Sequence, residues 1–471
     1  MIDKNEKPTL EHESLSRSLK NRHIQMIAIG GAIGVGLFYG ATGAIQSAGP
    51  SIIFAYLAVG IVIYFIMRAL GEMTVEEPIS GSYVTYASRY ISPFTGYYLG
   101  WTALLTMAAG SAAEYAAIGH YIQFWVPDFP VWVSAFFVLC LVILINTLSV
   151  KAYGEIEFWL SLIKVIAIIG MIILGGAMLL FGIGNGGQAV GFDNLTNNGG
   201  LFPLGAKGWI LSLVLVAFAF GGVEIVGVAA AEAGNVKKTI PQAINGVFWR
   251  ILIFYVGAIT IMVSLFDWSG IGEHGSPFVT VFEKIGIPGA ASVINLVIIA
   301  AAISALNSGI YSATRVLYSL SLQGKAPSII SKLNKNKVPF ISLLIVIATQ
   351  LFGVLMNYIM PASAFEIFST IVVVGLISNW LSILFSQLKF RKAKINSGEV
   401  GNLLYKMPFW PYSSYFAIAF MLSIIVIMAF MPYTRVALYV APVWICILFI
   451  SYKISSIKIK EPENVQEKLV P

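Results

Sequence analysis

Two short glycine runs inside apolar segments are the first places where this chain could do chemistry. One reads Ile29-Gly30-Gly31-Ala32-Ile33-Gly34-Val35-Gly36-Leu37-Phe38, the other Phe218-Ala219-Phe220-Gly221-Gly222-Val223-Glu224. Each glycine weakens a helix by about 1 kcal/mol relative to alanine. In lipid, freed backbone groups are tolerated only where they are buried in protein or line a cavity. Each run therefore marks either a helix break that meets a ligand or a seam of close helix packing. If they are breaks, a half-helix beginning near Gly36 offers unpaired N–H groups and a positive dipole end to a carboxylate. Half-helices ending near Ala32 and Gly221 offer unpaired carbonyls to an ammonium group. A zwitterion such as an α-amino acid matches both ends without any charged side chain.

Ionisable residues within apolar segments come next, because a charge at mid-bilayer costs at least about 2.5–3.5 kcal/mol and is retained for a reason. Glu224 follows the second glycine run directly, and Glu114 follows Gly110-Ser111-Ala112-Ala113. Glu114 could also sit near enough to the outer surface to be solvated. Lys164, in Leu162-Ile163-Lys164-Val165, is the lone basic residue placed deep inside a span, away from its flanks. Desolvation disfavours an ammonium, so Lys164 is a candidate to exchange a proton; the other reading is a permanently charged cap on a neighbouring helix. Glu232 and Arg250 lie nearer one membrane face, as a gate ion pair or as a solvated surface.

The elements that must position these groups follow from composition. The chain has 471 residues, 58% hydrophobic and 11% charged, with a mean hydropathy of +0.84. Soluble domains carry about 25% charged residues, so the solvent implied here is a lipid bilayer. A spanning helix needs roughly 20 apolar residues. Twelve segments qualify, at 23–47, 50–71, 94–119, 131–150, 156–181, 209–231, 243–266, 289–320, 339–359, 363–388, 411–430 and 435–455. With residues 1–22 placed inside, this division puts all lysines and arginines except Lys164, Lys207, Lys284 and Arg435 in inner loops, the span ends flanking them, and tails. That is the asymmetry expected of cytoplasmic loops. Both termini are then cytosolic, and the formal charge of +7 reflects membrane orientation, not nucleic-acid binding. No cleavable signal peptide is evident, so the first apolar run is read as a retained span. If spans one to five and six to ten are two repeats, the glycine runs occupy matching places. Such paired interruptions point to a midplane site between inverted repeats.

These residues resemble a known family, the amino acid permeases of the amino acid–polyamine–organocation superfamily, and within it the bacterial amino acid transporter group. The resemblance runs from about residue 15 to 455. It is carried by Leu19-Lys20-Asn21-Arg22-His23-Ile24-Gln25, the glycine run to Phe38, Leu70-Gly71-Glu72-Met73, Pro78-Ile79-Ser80-Gly81-Ser82 and Gly100-Trp101. It continues through Tyr153-Gly154-Glu155-Ile156-Glu157-Phe158-Trp159, the run Phe218 to Glu232-Ala233, Thr239-Ile240-Pro241-Gln242-Ala243-Ile244, Phe248-Trp249-Arg250 and Ala305-Leu306-Asn307-Ser308-Gly309. Arg315 and Gly324-Lys325-Ala326-Pro327 complete it.

The resemblance implies an all-α integral membrane fold of twelve transmembrane helices. Its core is a 5+5 inverted repeat (LeuT-like) with broken helices 1 and 6, plus two additional helices. Residues 1–22 would be a tail, 23–181 the first repeat, 209–388 the second, 411–455 the additional pair and 456–471 a second tail. It also implies amino acid uptake, commonly by proton symport. Gly34, Val35 and Gly36 would meet the substrate carboxylate, and the carbonyls of Ala32, Phe218 and Gly221 its amine. Phe218 and Phe220 would close over the pocket, and Glu224 would couple binding to the second break. Lys164 matches a lysine that in related carriers takes the place of a sodium ion, which favours protons. Glu114 and Glu232 complete the candidate proton-coupling set. Two departures stand out: Val35 replaces a usual Thr or Ser, and the segment after Gly100-Trp101 is small where aromatics are common.

Other classes fit poorly. Cys140 and Cys446 lie in apolar runs and are read as small core residues, and the four histidines have no metal-ligand spacing. There is no catalytic triad grouping and no dinucleotide fingerprint, so no enzyme, cofactor or metal is expected beyond the proton as coupling ion. An exchanger without ion coupling is the nearest alternative. Oligomeric state is not legible.

Overall fold

A computed structural model describes residues 19–31, 33–271, 276–284 and 289–458. The described chain is helical, with only isolated bridges outside the helices. The first half comprises α1 (Asn21–Gly30), α2 (Val35–Phe38), α3 (Gly40–Ala48), α4 (Ile52–Glu76), α5 (Tyr83–Tyr90), α6 (Pro93–Gln123), α7 (Val131–Asn146) and α8 (Val150–Phe181). The second comprises α9 (Gly205–Ala219), α10 (Ile225–Ala229), α11 (Val236–Arg250), α12 (Ala258–Leu265), α13 (Pro277–Lys284), α14 (Ala290–Leu322), α15 (Phe340–Ile359) and α16 (Ala364–Asn396). Then follow α17 (Tyr412–Met428) and α18 (Arg435–Lys458). Among the described residues, seven helices are long and apolar enough to cross a membrane, and α7, α9 and α17 are shorter apolar helices.

Local chemistry sets several ends. Ser92 accepts a hydrogen bond from the Thr95 N–H, and Ser149 from the Ala152 N–H, capping α6 and α8. Gly182, at φ +70°, closes α8 in the left-handed conformation. A π-helical turn, Ile251–Gly257, joins α11 to α12, so the segment runs unbroken from Val236 to Leu265.

Burial sorts the helices. The apolar window of α16 is 72% buried and that of α18 only 11%, so α16 belongs to the core and α18 to the periphery. At the centre, α6 packs on α14, α15 and α16. Glycines allow these backbones to approach: a side chain at Gly375 would run into Thr106, and one at Gly100 into Leu320. Apolar side chains such as Phe137, Leu144, Ile166, Ile173 and Phe181 point outward, where only lipid could cover them. Cys140 and Cys446 are among the exposed residues. That corrects their reading as core residues: their apolar surroundings lie on outward helix faces, which a hydropathy pattern cannot tell from a protein interior.

Candidate substrate site

Both glycine runs are helix breaks, and they touch. The segment expected as one span at 23–47 is three pieces. α1 stops at Gly30; Gly31, Ile33 and Gly34 lie outside any helix, and α2 starts at Val35 with Gly34 as its extended N-cap. Likewise α9 stops at Ala219, and a turn leads through Gly222, at φ +90°, into α10. A Cβ on Gly222 would overlap the Gly31 carbonyl, and one on Gly36 would lie 2.7 Å from the Ala219 Cα. The glycines thus serve both readings offered by the sequence: they break two helices and let the broken backbones pack.

Between the breaks lies a cavity of about 150 Å³. Gly31, Gly34, Gly36, Phe218, Gly221, Glu114 and Glu224 line it, with walls of Ala103, Thr106, Met107, Gly110, Val372 and Leu376. Glu114 projects from α6 at the first break: its Oε1 lies 2.8 Å from where a Gly34 Cβ would stand. Its other oxygen is buried with no hydrogen-bond partner among the described residues, so it faces the cavity and not a solvated outer surface. Glu224 accepts from Asn379 Nδ2 and Trp380 Nε1, both at 3.3 Å and both from α16.

Lys164 is fully buried on α8, and its ammonium donates to the carbonyls of Gly30 and Ile33, each at 2.7 Å. It therefore holds the end of α1 and the non-helical Ile33 ahead of α2. These carbonyls are the ones an unwound helix leaves free.

Other expected positions differ from their placement in the sequence reading. Phe220 does not line the cavity: it is buried and stacked on Tyr255, ring centroids 4.5 Å apart. Phe218 belongs to the last turn of α9 and Phe220 is its C-cap; two helical positions, about 200° of rotation, put them on opposite sides, so of the two Phe218 faces inward. Val35 is also fully buried and absent from the lining, because its side chain leaves α2 on the face packed into the core. The missing hydroxyl there removes no contact from this cavity. Glu232 lies outside it too, paired with Arg315 Nε at 2.8 Å, both buried. Arg250 bonds to Gln25 at 2.9 Å instead of joining Glu232. Ala32 lies outside the described residues.

The site has two differently closed sides. On one, Leu19 lies along Ala233: its N–H donates to the Glu232 carbonyl at 3.2 Å and its carbonyl accepts from Gly234 at 3.3 Å. Arg22 and His23 both reach Glu155 beside it. On the other lies a cavity of about 810 Å³, lined by residues including Tyr39, Gln46, His120, Phe365 and Glu366. Phe218 borders both cavities, its ring edge-on to Phe365 with centroids 5.8 Å apart.

Some participants escaped the sequence reading. Asn379 and Trp380 sit in an apolar run far from the glycines, and only the polar Asn379 gave a signal. Gly110, in the small segment after Gly100-Trp101 that the sequence singles out, forms an open part of the wall: a Cβ there would meet Val372 alone, at 3.7 Å.

Comparison with known proteins is consistent along the chain. The family model described as amino acid permease matches residues 23–463. An uncharacterized amino acid permease of Bacillus subtilis (strain 168) is 47% identical over 442 residues, covering 94% of this chain and 95% of that protein. A probable threonine/serine transporter of the same organism is 42% identical over 457 residues, 97% of this chain and 98% of its own. The aromatic amino acid transport protein of Escherichia coli (strain K12) is 42% identical over 440 residues, 93% of this chain and 95% of its own.

Proposed function

The chain belongs to the amino acid permease family, and on that premise we propose that it imports a neutral amino acid across the plasma membrane by proton symport. The observation that carries this reading is the meeting of two helix breaks around one small cavity that also holds two carboxylates. The first turn of α2 presents N–H groups to a carboxylate. Glu114, Glu224 and the carbonyls at Phe218 and Gly221 receive the ammonium. The substrate side chain lies against Ala103, Met107, Gly110, Val372 and Leu376, which are small or apolar. Two relatives carry names for neutral substrates, threonine/serine and aromatic amino acids, which supports the neutral class.

Access alternates. The substrate enters from the 810 Å³ vestibule, taken as the outer side on the lysine and arginine asymmetry. It passes Phe218, and leaves when the contacts of Leu19, Gln25 and Arg315 on the inner side release. The coupling ion is a proton, because an ammonium, Lys164, already spans the carbonyls where a metal cation would bind. Proton exchange at Lys164 and Glu114 or Glu224 shifts the balance between states by differential affinity. One charge moved through about 100 mV yields about 2.3 kcal/mol. At 1.4 kcal/mol per factor of ten, this supports roughly 40-fold accumulation.

Uptake of each radiolabelled amino acid into proteoliposomes, with an inward acidic gradient and with or without a protonophore, tests this. Accumulation of a neutral amino acid that collapses with protonophore is expected. Uptake only into vesicles preloaded with amino acid, indifferent to protonophore, would make the protein an exchanger and Lys164 a structural cation.

A further inference from the structure

A further buried carboxylate, Glu157 on α8, lies outside the cavity lining and has no role in the reading above. Glu157, Ser161 and Lys164 occupy positions i, i+4 and i+7 of α8 and so share one face. That face abuts the end of α1: a side chain on Gly30 would run into both the Glu157 carboxylate and the Ser161 hydroxyl. Lys164 donates to the carbonyl of the same Gly30. The carboxylate and the ammonium thus flank one residue, at the point where the first span breaks.

The surroundings of Glu157 are unlike an ion-pair socket. It is fully buried and accepts from Ser161 Oγ at 3.3 Å, from Ser304 Oγ, and from Asn307 Nδ2 at 3.0 Å. Asn307 in turn accepts from Asn146 Nδ2 at 2.7 Å. These partners are neutral. The hydroxyls can donate to an ionised carboxylate or turn to accept from a protonated one, so the pocket holds either form. Of the charged and titratable groups, Lys164 and Tyr153 on α8 act on it directly; beyond them Glu114 on α6 acts on Lys164, and Arg315 and Glu232 act on Tyr153. From α1 the Gly30 backbone abuts it, and His23 packs on Gly154 about one turn earlier along α8. Beyond Glu157 the polar column continues: Tyr153 meets Ser308 at 3.4 Å and stacks on Tyr311, over which Arg315 lies in its pair with Glu232.

We propose that Glu157 accepts the coupling proton from Lys164 and delivers it to the cytosolic side. This rests on the proton-symport reading. An N–H bond of the Lys164 ammonium breaks and an O–H bond forms on Glu157, with the Ser161 hydroxyl relaying the proton, so that both groups end neutral. When the inner contacts of α1 release and Gly30 moves off α8, water reaches Glu157. Its O–H then ionises, the proton leaves and the carboxylate is restored.

The test compares wild type, Glu157→Gln and Glu157→Asp in proteoliposomes, measuring gradient-driven accumulation and exchange of labelled for unlabelled substrate at equal pH. Exchange needs no net proton release. For Glu157→Gln the expected result is exchange close to wild type, with accumulation falling from roughly 40-fold to near unity. For Glu157→Asp accumulation persists with a shifted pH profile. A proton-coupled wild type matched by Glu157→Gln in accumulation and pH profile overturns the relay alone. A wild type without proton coupling overturns the symport reading and the relay with it. Loss of exchange in both variants, in protein that still binds substrate by tryptophan fluorescence, assigns Glu157 a structural role and also overturns the relay.

Discussion

Gly110→Leu places the binding site to the test without reference to coupling. Gly110 sits on α6 in the cavity wall, and the space beside it is open except for Val372 at 3.7 Å. The cavity measures about 150 Å³, the size of the void that removal of a buried leucine side chain can leave, ~150 Å³. A leucine here would therefore occupy most of the substrate's volume. Forcing ligand and side chain together costs about 1–3 kcal/mol if the walls yield, which at 1.4 kcal/mol per decade raises KM roughly 5- to 140-fold. Rigid walls would abolish uptake. Gly110→Ala adds one methyl at ordinary contact distance and leaves KM near wild type. Gly176→Leu is the control, since nothing stands within 4 Å of that position. Initial uptake rates against substrate concentration, normalised to protein in the membrane, read the effect. An unchanged KM in Gly110→Leu would refute this cavity as the binding site.

Three further outcomes follow from the same geometry. Gly222→Ala puts a Cβ on the Gly31 carbonyl at φ +90°; strain of about 1–3 kcal/mol should lower the melting temperature in detergent and abolish uptake. Glu232→Gln leaves Arg315 buried without its counter-charge, at a cost of about 3–5 kcal/mol, and the double variant with Arg315→Met recovers part of that stability in thermal melts. Lys325, in the loop after α14, bonds to Ser88 and Gln323, and burial pushes its pKa down from 10.5 to about 8. The folded state then binds fewer protons than the unfolded one between pH 8 and 10.5, so this group adds stability as pH rises through that window. Melts at pH 7 and pH 10 should show wild type gaining relative to Lys325→Met at the higher pH; a constant difference would contradict the burial effect.

Much of the architecture was legible because the bilayer imposes simple rules. Low charge and long apolar runs dictate helices in lipid, and glycine within such runs must either break the helix or admit a neighbour. The breaks expected near Ala32–Gly36 and Gly221 appear between the end of α1 at Gly30 and the start of α2 at Val35, and between Ala219 and Ile225. Intramembrane charge likewise drew attention to Lys164, Glu114 and Glu224, and the structure brings all three to the first or second break. Glu157 was quoted for resemblance alone, since its place at the edge of an expected span hid its burial.

What sequence could not reveal was direction and partnership. Phe218 and Phe220 are equivalent as letters two apart, yet one faces the cavity and the other stacks on Tyr255, because two positions at the end of α9 are rotated by about 200°. Glu232 could have paired with Arg250 or met solvent; helix packing brings Arg315 to it from 83 positions away. Cys140 and Cys446 show the same limit from the other side, since apolarity is identical toward lipid and toward protein. Helix formation and spanning are local consequences of side-chain transfer from water, so the sequence by itself determined them. Which faces meet, and so which carboxylate finds a lysine, an arginine or an empty cavity, depends on contacts between distant segments that only the tertiary structure decided.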